Sequence, residues 1–174
     1  MTPRPLTTER LELIPATLEL ADADLHNRME FSHQLNARVL DSWPPPPNDE
    51  DSMKRAVDFL RCDPCAAGWA VWYWVAKRHK PVVVGMGGFK GIPVAGAVEV
   101  VYSLLPEFQR KGYATEAVAA LLDWAFGHEG VVRVIAETPP EHKPSIRLLE
   151  KTGFANIGKG SKDGVARFER RRPA

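Results

Sequence analysis

Long apolar runs are missing from this sequence, and so is an excess of charge of either sign. No hydrophobic stretch among the 174 residues approaches the roughly 20 that a membrane-spanning helix needs. Residues 1–8 lack the apolar segment of a secretory signal. We therefore expect a cytoplasmic protein with no membrane partner. The formal net charge of +1 gives no reason to expect a nucleic-acid partner.

Two features that could suggest other chemistry are weak. Cys62 and Cys65 are the only cysteines, and a lone C-x-x-C pair is poor support for zinc binding or disulfide exchange. We expect no metal site. The one basic run, residues 167–172, lies at the C-terminal end. Its simplest interpretation is a solvated last strand or tail.

The composition suffices for one substantial core. Hydrophobic residues make up 44% of the chain and charged residues 26%, as in ordinary globular proteins. A domain of this size hides roughly 70% of the surface that its unfolded chain would expose. We expect a single domain over residues 1–174.

A proline run interrupts the first third of the chain. Residues 44–47 are four prolines, which lack amide donors and favour an extended surface loop. Trp43, just before them, either anchors this loop or forms part of a substrate wall. The acidic residues that follow and Ser52 favour the start of a helix. An earlier helix is expected to begin near Thr17.

The second half of the chain alternates strand and helix patterns. Segments rich in β-branched and aromatic residues predict strands at residues 69–77, 81–89, 97–105 and 131–137. Apolar residues at helical spacing predict a helix over residues 113–126. A second helix is expected over residues 144–151, with Gly153 beyond its end. This order implies an α/β domain with a mixed sheet.

The chemically informative segment is residues 109–114, Gln-Arg-Lys-Gly-Tyr-Ala, between a predicted strand and a predicted helix. A turn that enters a helix presents unpaired backbone N–H groups and the positive end of the helix dipole, which together bind phosphate oxygens. Gly112 allows close approach, and Arg110 and Lys111 add positive charge. The alternative is a surface turn with a solvated basic pair. Neither a phosphate-binding loop nor a G-x-G-x-x-G motif is present.

These residues resemble the Gln/Arg-x-x-Gly-x-Gly/Ala signature of the GNAT acetyltransferases. Other blocks resemble the branch of ribosomal-protein N-acetyltransferases (the RimJ/RimL type). They are residues 8–11, 43–44, 115–117 and 145–154. The resemblance implies a strongly curved mixed sheet with a splayed strand pair and helices on both faces. It also implies acetyl-CoA as co-substrate and an amine as acceptor.

By this resemblance, backbone amides of the signature hold the coenzyme pyrophosphate, and the preceding strand holds the pantetheine arm. The backbone N–H of Leu104 would face the thioester carbonyl, a catalytic contact. The residues that the resemblance assigns to coenzyme binding are Tyr102, Ser103, Leu104, Gln109, Arg110, Lys111, Gly112, Tyr113, Ala114, Thr115, His142 and Ser145.

Two departures from the family pattern affect catalysis. The tyrosine that many members use to protonate the leaving thiolate corresponds to Leu149, so Ser145 becomes the expected proton donor, with helix capping as its alternative role. The usual asparagine corresponds to His142, which could contact the pantetheine arm, act as a base, or simply face solvent. Acetyl transfer benefits from a general base.

Glu99, on the predicted strand before the signature, is our choice of base. An exposed strand carboxylate without catalytic duty is the competing interpretation. Asp163 is a second candidate, although a turn-forming Asp-Gly pair also accounts for it.

The sequence does not decide whether the acceptor is a peptide N-terminal amine or a small-molecule amine. It also does not decide whether the protein forms a homodimer. Trp69, Trp72 and Trp74 either line the acceptor groove or belong to the core. A second hypothesis from another class is an acyl-CoA-binding regulatory module that has lost catalysis. The missing tyrosine and His142 keep that hypothesis open.

Overall fold

A computed structural model describes residues 2–63 and 66–174 as a mixed α/β fold. The strands of the described residues are β1 (Leu6–Thr7), β2 (Leu11–Pro15), β3 (Val71–Ala76), β4 (Val82–Phe89), β5 (Ala97–Leu104), β6 (Arg133–Thr138), β7 (Ala155–Lys159) and β8 (Ala166–Arg171). The helices are α1 (Leu18–His26), α2 (Arg28–Leu35), α3 (Glu50–Cys62), α4 (Tyr113–Phe126) and α5 (Lys143–Lys151).

These strands form one sheet in the order β1-β2-β3-β4-β5-β6-β8-β7. Among the described strands, only the β5–β6 neighbours run parallel, and the other neighbours are antiparallel. The β5–β6 ladder is short, because it pairs Ala97 to Glu99 with Arg133 to Ile135 and then ends. Beyond Glu99 the two strands diverge, which confirms the expected splayed pair in a mixed sheet.

The helices cover both faces of the sheet. Successive side chains of a strand point to opposite faces of the sheet, and two neighbouring residues of β3 show which helices lie on each face. Tyr73 contacts Asp24 of α1 and Phe31 of α2. Trp72, next to it, packs against Trp124 of α4. Helices α1 and α2 therefore lie on one face and α4 on the other.

Tryptophans of β3 form the centre of the core, as one of the two sequence interpretations proposed. Trp72 and Trp74 are completely buried. The indole of Trp74 lies so close to β4 that a Cβ atom at Gly85 would be 2.9 Å from it, and one at Gly87 only 2.5 Å. The glycines of β4 are therefore required by close packing, since larger residues would displace the indole.

Trp43 anchors the proline loop, and the substrate-wall alternative is wrong. Its side chain is buried, and its indole Nε1 donates to Asp24 Oδ1 over 2.7 Å. Tyr73 donates to the other carboxylate oxygen over 3.0 Å. Burial raises the pKa of Asp24 to about 6, although the hydrogen bonds from Trp43 and Tyr73 and the charge of Arg28 oppose the rise.

Helix α3 and the last strand were predicted from the sequence, whereas helix α2 was not. Helix α3 begins at Glu50, among the acidic residues expected to start it, and Asp49 and Ser52 form a reciprocal capping box there. Helix α2 was not predicted, since only Phe31 and Leu35 are buried in it. The basic run forms β8, the predicted last strand. Two of its arginines are paired with Glu137 and Glu169.

The structure describes one cysteine of the C-x-x-C pair. Cys62 ends α3 as an exposed free thiol, and Cys65 lies outside the described residues. Within residues 2–63 and 66–174, the helices are too short or too polar to cross a membrane.

Candidate functional site

The gap between β5 and β6 exposes backbone groups of β5. In an antiparallel pair, every second residue of a strand directs its backbone N–H and C=O to the neighbouring strand, and the residues between direct theirs to the opposite side. Leu105 N–H donates to Val84 over 2.9 Å, and Glu99 C=O accepts from Lys90 over 2.9 Å, so the odd-numbered residues face β4. Tyr102 and Leu104 therefore direct their backbone groups into the gap. The backbone of Ser103 faces β4, so Ser103 can contribute to the site only through its side-chain hydroxyl.

The gap leads to the N-terminus of α4. Gly112 is the cap residue, with φ 80°, and no side chain of the described residues caps the first turn. The first backbone N–H groups of a helix have no partner within it, so Tyr113, Ala114 and Thr115 present theirs outward. An uncapped helix start of this kind attracts anions. Arg110 also has a positive φ, 61°, which is uncommon for a residue other than glycine.

Side chains of the signature shape the loop itself. Gln109 Nε2 donates to the carbonyl oxygen of Leu104 over 3.2 Å, which joins the loop to the end of β5. Lys111 Nζ donates to the carbonyl oxygen of Glu107 over 2.9 Å. Arg110 is exposed. The carbonyl of Leu104 is thus engaged, while its N–H faces the gap.

A clamp of Thr8, Arg10 and Glu116 joins the N-terminal segment to this loop. Glu116 accepts from Thr8 Oγ1 over 2.6 Å and from both the backbone N and Nε of Arg10 over 2.7 Å. Arg10 Nη1 donates to Lys111 O over 2.6 Å, and its guanidinium lies 4.7 Å above the ring of Tyr113. Burial would raise the pKa of Glu116, but these hydrogen bonds hold it below its usual value.

The contact between Arg10 and Glu116 was not predicted from the sequence. Both of its blocks, residues 8–11 and 115–117, carry the family resemblance, but only as separate segments. Arg10 and Glu116 are 106 positions apart, and no local pattern signals such a contact. The clamp holds the guanidinium of Arg10 beside the helix start, paired with the carboxylate of Glu116.

A cleft of about 760 Å³ lies beside the gap. It is lined by the proline loop, one face of α3, strands β4 and β5, the end of β6 and the start of α5. Among the predicted site residues it contains Tyr102, Ser103, His142 and Ser145. Asn48 Nδ2 donates to Ser103 Oγ over 2.8 Å, so the loop held by Trp43 is also tied to β5.

Ser145 lines this cleft, close to Tyr102. The two hydroxyl oxygens are 2.6 Å apart, and the Ser145 residue is 8% exposed. The cap residue of α5 is His142, and no side chain of the described residues caps that helix, so the capping alternative for Ser145 does not fit. Burial raises the pKa of the Tyr102 phenol, although its hydrogen bond with Ser145 opposes the rise.

The three candidate bases occupy different surroundings. Glu99 forms an ion pair with Lys90, and its side chain is 24% exposed. Asp163 is exposed in the turn between β7 and β8, and among the described residues it does not line the cleft. His142 is exposed and lines the cleft at the start of α5.

Glu137 is a cleft carboxylate that sequence reasoning did not find. It accepts from Ser161 N over 2.7 Å, from Ser161 Oγ over 2.6 Å and from Arg167 Nε over 2.9 Å. Burial would raise the pKa of Glu137, but these hydrogen bonds hold it below its usual value. This carboxylate is fully engaged in holding the β7–β8 hairpin against β6.

The chain belongs to the GNAT acetyltransferase family, because the acetyltransferase (GNAT) domain model matches residues 10–155. The uncharacterized N-acetyltransferase YjdG of Bacillus subtilis (strain 168) is 28% identical over 154 residues, which are 86% of this chain and 88% of that protein. The uncharacterized N-acetyltransferase p20 of Bacillus licheniformis is 30% identical over 158 residues, 88% of this chain and 83% of that one. The chain is thus an N-acetyltransferase.

Solved structures share the fold over nearly the whole chain. The ribosomal-protein-S5-alanine acetyltransferase from Vibrio fischeri has a TM-score of 0.68 at 20% identity and covers 98% of this chain and 97% of its own. The ribosomal L7/L12 α-N-protein acetyltransferase RimL, in complex with coenzyme A, has a TM-score of 0.67 at 18% identity, covering 97% and 98%. Structural neighbours therefore include ribosomal-protein acetyltransferases, and at these identities the likeness concerns the fold.

Proposed function

We propose that this enzyme transfers the acetyl group of acetyl-CoA directly to an amine within a ternary complex. The observation that carries the proposal is the uncapped start of α4, which follows the β5–β6 gap and is joined to the end of β5 by the hydrogen bond from Gln109 to Leu104. One end of this path offers three helix amides for a pyrophosphate. The other end offers strand-like backbone groups and a cleft large enough for a second substrate.

In the proposed complex, the amides of Tyr113, Ala114 and Thr115 bind the pyrophosphate, with Arg10 beside them. The backbone groups of Tyr102 and Leu104 bind the pantetheine arm as an added strand would. The N–H of Leu104, or that of Tyr102 about 7 Å deeper along the strand, donates to the thioester carbonyl. One such donor typically contributes about 10²–10³ in rate. Holding both substrates in register supplies much of the remaining acceleration.

The amine must arrive neutral, and the departing thiolate needs a proton. Ser145 is the proposed proton donor, because its hydroxyl lines the cleft and Leu149 is buried in the core. Glu99 remains the proposed base. Its carboxylate points to the same face of the sheet as Ser103, but Lys90 competes for it. Because Glu99 is not among the residues that line the cleft, we propose that it acts on the amine through a water molecule.

The acceptor is proposed to be a peptide N-terminal amine or a small-molecule amine. A screen of coenzyme A thiol release over both classes, with acetyl-CoA at saturation, tests the proposal. Acceptor-dependent release with recovery of an N-acetylated product is the expected result. Tight acetyl-CoA binding without turnover over the whole panel would instead favour the regulatory module that has lost catalysis.

A further inference from the structure

The hydroxyl of Tyr102 has a position that its backbone role does not explain. Tyr102 pairs with Gly87 across the β4–β5 ladder, and Gly87 pairs with Trp72, which packs against α4. The side chain of Tyr102 therefore lies on the α4 side of the sheet, while its backbone faces the gap. There its phenol meets the Ser145 hydroxyl at 2.6 Å.

This contact brings a tyrosine to the region where the helix itself lacks one. Leu149, on α5, is completely buried and carries no acidic proton. Tyr102 comes from β5 instead, and it reaches the same helix one turn earlier, at Ser145. Both residues line the cleft. A thioester held along the backbone of Tyr102 would have its sulfur beside this pair.

We propose that Tyr102 and Ser145 form a proton relay to the departing thiolate, in which Ser145 touches the sulfur and Tyr102 acts through Ser145. The inference rests on the proposed acetyl transfer. The phenol is the stronger acid of the two hydroxyls, so Tyr102 donates to Ser145 Oγ. This arrangement turns the Ser145 proton toward the open cleft.

The proton balance of the step is complete. The amine nitrogen forms its bond to the acetyl carbon, and the carbon–sulfur bond breaks with its electron pair on sulfur. Ser145 gives its proton to sulfur and takes the proton of Tyr102. The proton that the amine loses passes through the intervening water to Glu99, which releases it to solvent, and the phenolate regains a proton from solvent. The pKa of an ordinary phenol already lies well above neutral pH, and burial raises that of Tyr102 further, so the phenol is regenerated at neutral pH.

The Tyr102→Phe and Ser145→Ala variants test the relay through the acidity of the leaving thiol. With acetyl-CoA, each should lower kcat by about 10²-fold, the lower end of the range for general acid catalysis. The KM for acetyl-CoA should change by less than about twofold, because the relay acts in the transition state and neither substitution removes a contact that binds the coenzyme in the ground state. With an acetyl aryl thioester, whose thiol is far more acidic, both losses should shrink to below about threefold.

Two comparisons separate a relay from a general structural effect. The double variant should be no slower than the slower single variant, because groups that act as one unit are not additive. Tyr73→Phe is the matched control: it also removes a buried phenol hydroxyl of the same sheet, but one that binds Asp24. Its kcat should stay near the wild-type value, with any loss appearing in thermal stability.

The outcomes distinguish the relay from the function on which it rests. An active wild-type enzyme whose Tyr102→Phe variant keeps its kcat overturns the relay alone. Equal losses with alkyl and aryl thioesters, or losses that multiply in the double variant, also overturn it. A wild-type protein that acetylates no amine overturns the proposed function, and the relay with it.

Discussion

Replacing Gly112 with valine should weaken coenzyme binding while leaving the fold intact. Gly112 has φ 80°, and a Cβ atom there would be 3.0 Å from Arg10 Nη2. A side chain in this left-handed conformation costs roughly 1–2 kcal/mol, and its methyl groups would occupy the space in front of the helix amides. A hydrogen bond to a charged group contributes about 1.5–3 kcal/mol. Losing one such bond to the pyrophosphate raises the Kd about 10- to 100-fold.

Gly164 provides a matched control. It also has φ 80°, but a Cβ atom there would meet no other part of the described chain within 4 Å, and it is in the exposed β7–β8 turn. Gly164→Val should therefore lower the melting temperature by a similar amount without changing the coenzyme A affinity. Calorimetric titration of both variants with coenzyme A separates strain from binding. An unchanged Kd in a folded Gly112→Val protein would refute the assignment of this loop.

Three further predictions concern charged groups. Glu116→Gln, which weakens the clamp on Arg10, should raise the KM for acetyl-CoA about tenfold with kcat nearly unchanged; initial rates that show no KM change would contradict the clamp's role. Glu99→Gln should lower kcat/KM by about 10²-fold at neutral pH and less at high pH. A loss below about threefold at every pH would remove Glu99 as the base. The wild type should lose about 2–3 kcal/mol of unfolding free energy relative to the Asp24→Asn variant as pH rises from about 4 to 7, because asparagine does not titrate. The folded protein keeps the Asp24 proton up to about pH 6, whereas the unfolded chain releases it near 3.8. Denaturant unfolding at both pH values measures this difference, and a stability difference that is equal at both pH values would contradict the raised pKa.

Elements with a strong local signal could be predicted from the sequence. The helix predicted over residues 113–126 is α4, Tyr113–Phe126, because its apolar face repeats regularly and Gly112 precedes it. Strand β5 agrees within one residue. Helix α2 and strand β7 escaped prediction because α2 buries only Phe31 and Leu35, and β7 is exposed throughout. Neither presents an apolar pattern.

The contacts within the site depended on distant residues. The uncapped turn at the start of α4 could be predicted, since a helix start is a local feature of the chain. The pairing of Tyr102 with Ser145 spans 43 positions, and that of Arg10 with Glu116 spans 106. The first contact depends on how α5 crosses the sheet and the second on how α4 does, and the order of residues specifies neither locally. The same limit concealed Glu137 and its role in holding the hairpin.

The most direct test of the account is the stoichiometry of acetyl transfer with an acceptor found by the screen. Free coenzyme A thiol and N-acetylated acceptor should appear in equal amounts, measured by thiol titration and mass spectrometry. With acetyl-CoA alone, the mass of the protein should not change, because the transfer is direct. Thiol release without acetylated acceptor, or an acetylated protein that forms and decays during turnover, would contradict direct transfer to an amine.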